Sequence, residues 1–202
     1  MLIDPEQVRP ADLYQTMIRL IAPRPIAWIG TVSSDGVPNL APYSFFSGVT
    51  SRPPTLMFSS VSRPDGSLKD SVANILATGE FTVNVVPHRL AEAMLATSAE
   101  FPSEIDEFRA CDIASAPGER IAAPRVLESP AHFECRLMQT VPIGQGAGSA
   151  TIVIGRIVAI RVADEMLGAD GFADMGRLDL VGRLGGDAYA TTRDRFERKR
   201  PS

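Results

Sequence analysis

The hydrophobic pattern of this chain is mainly that of strands, broken by three short helical stretches. Pro10 at a first-turn position and apolar Leu13, Met17 and Leu20, spaced by four and three, predict a short amphipathic helix ended by Pro23. Pro25 to Ser33 reads as a strand, Asp35-Gly36 as a tight hairpin turn, and Val37 onward as the returning partner. A further strand, Thr55 to Val61, follows the break at Pro53-Pro54. Ser67 then offers an N-cap with Asp70 at N3, and Val72, Ile75 and Leu76 share one helical face until Gly79 stops the helix. Glu80 to Val86 returns to strand, and Leu90, Met94 and Leu95 define the third helix.

Ala131 to Val141 and Thr151 to Val162 predict two long strands, the second apolar enough to be buried on both faces. The glycine-rich Gly144 to Ser149 between them reads as a hairpin connection, because a phosphate-cradling loop needs a helix after it and here a strand follows. The stretch from Phe101 to Pro130, punctuated by Pro102, Pro117 and Pro124, reads as irregular and suits a functional lid or an interface arm. About seven strands with few helices argue for a mainly β fold, a barrel or a sandwich with peripheral helices. No GxGxxG opens a helix after a strand, which counts against a dinucleotide-binding α/β domain.

Composition narrows the function classes. The 202 residues, 45% of them hydrophobic, suffice for one packed domain spanning 1–202, with 193–202 as a solvated, flexible basic tail. A formal charge of −4 with scattered basic residues gives no reason to expect a nucleic-acid partner. Cys111 and Cys135 lack CxxC spacing, so neither zinc nor a disulfide framework is indicated, and a reducing cytoplasm fits. No stretch has the length and apolarity of a membrane span, and the start lacks the charge and apolar blocks of a leader. With only His88 and His132, no metal set and no Ser-His-Asp or Cys-His constellation can be assembled. Cys135 reads as core and His132 as a half-exposed strand residue, or as a group approaching a substrate if its strand borders a pocket. Arg24, before the first strand, reads equally as a surface residue or as a contact to an anionic group.

Two segments carry the chemistry. In Pro38-Asn39-Leu40-Ala41-Pro42-Tyr43-Ser44-Phe45-Phe46-Ser47, small and hydroxyl residues alternate with aromatics on a segment bent by prolines, which suits a flat ring with polar edges. In Ser67-Leu68-Lys69-Asp70-Ser71-Val72-Ala73-Asn74, a cation and hydroxyls fall at a helix start, where free N–H groups and the dipole favour a phosphate. A flat ring joined to a phosphate describes flavin mononucleotide (FMN). Taken singly, each residue has a plainer reading: Phe45 and Phe46 as core aromatics, Ser59 and Ser60 as a strand end, Lys69 as a solvated lysine, Ser71 as support for the cap.

The order Arg24-Pro25-Ile26-Ala27-Trp28, Asp35-Gly36-Val37-Pro38-Asn39-Leu40-Ala41-Pro42-Tyr43-Ser44-Phe45-Phe46, Pro53-Pro54, Phe58-Ser59-Ser60, Lys69-Asp70-Ser71, Gly79-Glu80-Phe81-Thr82-Val83-Asn84 and Arg183-Leu184-Gly185-Gly186 with Tyr189 resembles the flavin reductase-like proteins, in particular the flavoredoxin branch. The resemblance implies an FMN-binding split β-barrel, a homodimer with FMN at the subunit interface, and NADH or NADPH as electron donor. Hydride would pass from nicotinamide to flavin N5, with a monooxygenase component as one recipient of reduced flavin. A non-catalytic FMN electron carrier is the other reading, and a barrel binding haem leaves Lys69 to Ser71 unexplained. Carried over by position, Ser44, Phe45, Phe46 and Ser47 would line the ring, Ser59 and Ser60 the ribityl chain or phosphate, Lys69 and Ser71 the phosphate, and Asn74 would add a polar contact. Position 47 often holds asparagine in that branch, and position 71 threonine.

Overall fold

The computed structural model describes residues 1–201. Helix α1 (Pro10–Leu20) starts with Pro10 at its first turn and buries only Ile18, so the Leu13, Met17, Leu20 stripe is largely at the surface. Strands β1 (Arg24–Pro25), β2 (Ala27–Val32), β3 (Pro38–Tyr43), β4 (Phe46–Ser51) and β5 (Pro54–Val61) follow. Gly36, at φ +84°, takes the left-handed conformation that the predicted β2–β3 turn demands.

Helix α2 (Asp70–Thr78) begins two residues later than the Ser67 cap predicts. Ser67 is used upstream, where its carbonyl accepts from Arg63 N (2.9 Å) and its N–H donates to Asp65 (2.8 Å), closing a turn over Asp65-Gly66. Lys69 therefore occupies the N-cap, without a side-chain cap bond, and Gly79 ends the helix at φ +74°. Strand β6 (Glu80–Asn84) and helix α3 (Ala91–Ala96) come next. The stretch 101–130 is more ordered than expected. It carries α4 (Glu107–Ala110) and a small ladder of β7 (Ser115–Ala116) with β8 (Arg125–Val126), and Phe108 and Val126 are buried against the sheet. Apolar side chains in that stretch seal a second core, which fixes it to the sheet. Strands β9 (Ala131–Ile143) and β10 (Ala150–Val162) form the predicted long hairpin, and α5 (Met175–Leu178), β11 (Val181–Arg183) and β12 (Tyr189–Thr191) complete the elements.

Seven antiparallel strands form one sheet in the order β3-β2-β6-β9-β10-β5-β4. Its two outermost strands, β3 and β4, are consecutive in the chain, so the sheet curls on itself and its seam falls at Ser44-Phe45. Ser59 N donates to Phe45 O at 2.9 Å, which carries the β4–β5 ladder one residue past Phe46 to the edge of that seam. Inside the curl lie Ala27, Ile29, Tyr43, Phe58, Phe81 and Val153. Outside it, a second core gathers Ile26, Trp28, Leu40, Phe108 and Val126 beneath α3 and α4. The strand buried on both faces is thus β2, and not the one ending at Val162: Ile160 and Arg161, successive residues on opposite faces of β10, are both exposed, so among the described residues neither face is fully covered at that end of the strand. Gly155 permits the closest approach in the interior, since a Cβ there would stand 2.3 Å from the Phe81 ring.

Candidate functional site

The seam divides the predicted site into two depressions. The first is polar and lies at the start of α2, lined by Arg63, Lys69, Asp70, Ser71, Tyr43 and Glu107. The second is apolar, lined by Ser44 to Ser47, Met57, Ser59 and Ile152 with Arg24 at its back.

In the polar depression, Arg63 donates to the Leu68 carbonyl and to Asp70 Oδ2 (2.6 Å), so Asp70 is neutralised locally. Lys69, one of only two lysines in the chain, is half-buried and in no ion pair among the described residues. Arg63, Lys69 and Asp70 together leave one positive charge beside the unpaired first N–H groups of a nine-residue helix. Ser71 is buried, and its hydroxyl donates to Asn39 Oδ1 (2.7 Å) while Asn39 Nδ2 donates to Glu107 (2.7 Å). Burial pushes the Glu107 carboxyl up, against hydrogen bonds from the Leu40 and Glu107 N–H groups and Asn39. The Tyr43 hydroxyl lies near Ser71 and Ser60, buried without an aligned partner. The Tyr43 hydroxyl, the Lys69 ammonium and the first amides of α2 are the donors left for an acceptor, and they fit an anionic group the size of a phosphate.

Several expected contacts face elsewhere. Asn74 donates to Thr31 Oγ1 (3.1 Å) and ties α2 to β2, one helical turn past the depression. Ser60 points into the barrel beneath Tyr43, because Met57, Ser59 and Val61 alternate outward on β5. Arg24 is 4% exposed, and its guanidinium donates to the carbonyls of Ile18 (2.6 Å), Ile21 (2.8 Å) and Leu184 (2.9 Å). It closes the C-terminal end of α1 and backs the Phe45 ring at 5.6 Å, leaving little to offer an anion. Ser44, Phe45 and Phe46 are half-buried and Ser47 is exposed.

His132 is 1% exposed, opposite Asn84 on β6 and 3.7 Å from Glu134, and it lines neither depression. The expectation of a half-exposed or substrate-side residue is corrected: the 117–126 segment covers it, with Glu134 accepting from Glu119 N (2.6 Å) and Arg120 N (2.7 Å). Burial, with the Arg125 charge, lowers its pKa against the opposing pull of Glu134 and Glu119. The contribution to stability is therefore complete above the ordinary histidine value of ~6.5 and is lost as pH falls toward the folded value, because the unfolded chain takes the proton first. Urea midpoints should fall below about pH 6.5 in the native chain and fall less in His132→Gln. Equal slopes in both would remove His132 from the account.

Arg63 and the Glu107–Asn39 relay are contacts that sequence reading passed over. The Asp65-Gly66 turn that folds Arg63 back onto Lys69 has a local signal; Glu107 reaches Asn39 from 68 positions away and has none.

A model described as flavin reductase-like domain matches residues 18–177. The chain belongs to the flavin reductase-like family. Among solved structures it is similar to nitrilotriacetate monooxygenase component B from Bacillus cereus, at 31% identity and TM-score 0.93 over 98% of each chain. It is also similar to the 2-nitrobenzoate 2-nitroreductase NbaA of Pseudomonas fluorescens, at 29% identity and TM-score 0.88 over 100% of this chain and 97% of that one. Flavoredoxin of Desulfovibrio vulgaris shares the fold at TM-score 0.77 and 21% identity, over 98% and 97% of the two chains. The curled, seamed sheet is the flavin-binding split barrel of this family, mainly β with peripheral helices. Membership places the chain among flavin-related oxidoreductases. No helix among the described residues is long and apolar enough to cross a membrane, and no cluster of metal-ligating side chains occurs among them.

Proposed function

We propose that the protein is an FMN-dependent oxidoreductase, an NAD(P)H:flavin reductase built as a single domain over 1–202. The observation that carries this reading is Lys69, in no ion pair among the described residues, at the free N–H end of α2, beside an apolar depression whose rim is Ser44 to Ser47. When bound, FMN would supply the redox chemistry, accepting hydride at N5 from NADH or NADPH. Lys69, Arg63 and the first amides of α2 would hold the phosphate. Phe45, Phe46, Met57 and Ile152 would keep water from the ring, while Ser44, Ser47 and Ser59 present hydroxyls at its edge. Asn39 and Glu107 act through Ser71 as positioning groups, since they fix its hydroxyl. No protein acid or base is needed, which agrees with His132 being sealed away.

The reading extends to a homodimer. Successive rows on the outward face of β4, β5, β10 and β9 are Ser47, Met57, Ile154 and Gln139; Ser59, Ile152 and Val141; and Val61, Ala150 and Ile143. Met57, Val61 and Ile143 are exposed there. This apolar face is continuous with the depression, so a second copy would cover both at once. The likeness to a monooxygenase component B supports delivery of reduced flavin to a separate oxygenase, and two free cysteines suit a reducing cytoplasm. The test is steady-state oxidation of NADH and of NADPH by the full chain with FMN. Turnover with one of them supports the reductase; tight FMN with neither consumed overturns it in favour of an electron carrier.

A further inference from the structure

Arg183 closes β11 and Tyr189 opens β12 across a turn at Gly185-Gly186. The guanidinium carbon lies 4.5 Å from the Tyr189 ring centroid, and the group donates to the Tyr189 hydroxyl and to the Gly186 carbonyl (2.7 Å). Two of the five N–H donors of a guanidinium are thereby used and three remain. Arg183 is half-buried, and among the described residues it makes no ion pair. Its charge is felt nearby: after burial, which is the main cause, Arg183 helps to lower the pKa of Arg24.

The guanidinium faces a depression walled by Tyr14, Tyr43, Ser44, Met94 and Ser98, with no carboxylate in its lining. That depression touches both halves of the cofactor site. It shares Pro42, Tyr43 and Ser98 with the polar half, and Ser44 with the apolar half. A half-buried arginine held by stacking and by two neutral acceptors, but left without a counter-ion, is organised to receive an anion between flat walls. The cofactor's own phosphate has a different receptor, at Lys69.

We propose that this depression is a second anion site, in which Arg183, oriented by Tyr189, binds the carboxylate or phosphate of the planar reactant that meets the flavin. Its placement beside a flavin rests on the function proposed above. The two sources of the anion differ in the probe that reports them, benzoate for a carboxylate and inorganic phosphate, NADH or NADPH for a phosphate. Each is titrated calorimetrically into the full chain, with and without FMN, for the native protein, Arg183→Met and Tyr189→Phe. Methionine keeps an apolar stem on the tyrosine ring, and Arg183→Lys serves if that variant does not fold. At least one probe should bind the native chain and weaken about tenfold or more in Arg183→Met, with FMN affinity unchanged. Loss confined to benzoate assigns a carboxylate; loss of phosphate or of a dinucleotide assigns a phosphate. Equal binding by native and Arg183 variants, no probe bound at all, or weakened FMN in place of the probes would overturn the site. Failure of the native chain to take up FMN would sink the flavin reading, while the titrations without FMN still decide Arg183.

Discussion

Phe58→Ala is expected to lower stability by about 3–5 kcal/mol, the largest effect foreseen for any single substitution here. Phe58 is fully buried on β5, its ring 4.9 Å from Tyr43 and 5.8 Å from Phe81. It links the strand that leads into the seam with the strand across the barrel. Its neighbours Met57 and Ser59 line the apolar depression, and Ser59 N carries the β4–β5 ladder to Phe45 beside the seam. Emptying the Phe58 position removes both the apolar burial and the support behind those two residues. For a chain of this length the loss corresponds to a melting point lower by roughly 6–20 °C, read by thermal denaturation. A shift of under about 2 °C would mean that the barrel interior collapses around the gap and that Phe58 does not brace the seam.

Lys69→Ala is the second, and it acts on binding without acting on the fold. Lys69 caps α2 by position only, makes no side-chain cap bond and pairs with no carboxylate among the described residues, so folding stability should stay within about 0.5 kcal/mol of native. FMN affinity should fall by about 1–3 kcal/mol, roughly 5- to 150-fold, as a charged contact to phosphate is lost. Riboflavin, which has the ring without the phosphate, supplies the internal control: its affinity should not change in the variant. An equal loss for both ligands would place Lys69 at the ring, and no loss for either would take it out of the site.

Much of the fold was legible in the chain because its signals are local. Asp35-Gly36 set the β2–β3 turn, Gly79 stopped α2, and the hydrophobic runs marked β9 and β10 on either side of a glycine-rich hairpin. Misreadings arose where tertiary context overrode a local cue. Ser67 has the chemistry of a cap, yet the Asp65-Gly66 turn claims its backbone and moves the helix start to Asp70. The apolar run of β10 resembles a doubly buried strand, but which strands are covered on both sides depends on where the 101–130 segment lands, and that segment lies over β2.

The site divides in the same way. Residue types at Ser44 to Ser47 and Lys69 to Ser71 marked two stretches that line two depressions on either side of the seam, because backbone bends and helix starts are local features. Side-chain direction was not legible. Asn74 and Ser60 lie near the site in sequence and face away from it, the first by helical phase and the second by strand alternation. Arg24 and His132 were singled out for their chemistry, but the carbonyls of α1 and the covering 117–126 segment, which decide their roles, are set by the fold.

The central claim is that the two depressions hold FMN and that a nicotinamide reduces it there. It is tested most directly by the visible spectrum of the purified full chain with FMN, recorded anaerobically before and after NADH and then NADPH. The account predicts a perturbed flavin band on binding, followed by bleaching with one of the two donors. An FMN spectrum identical to that of the free flavin, with no bleaching by either donor, would contradict it.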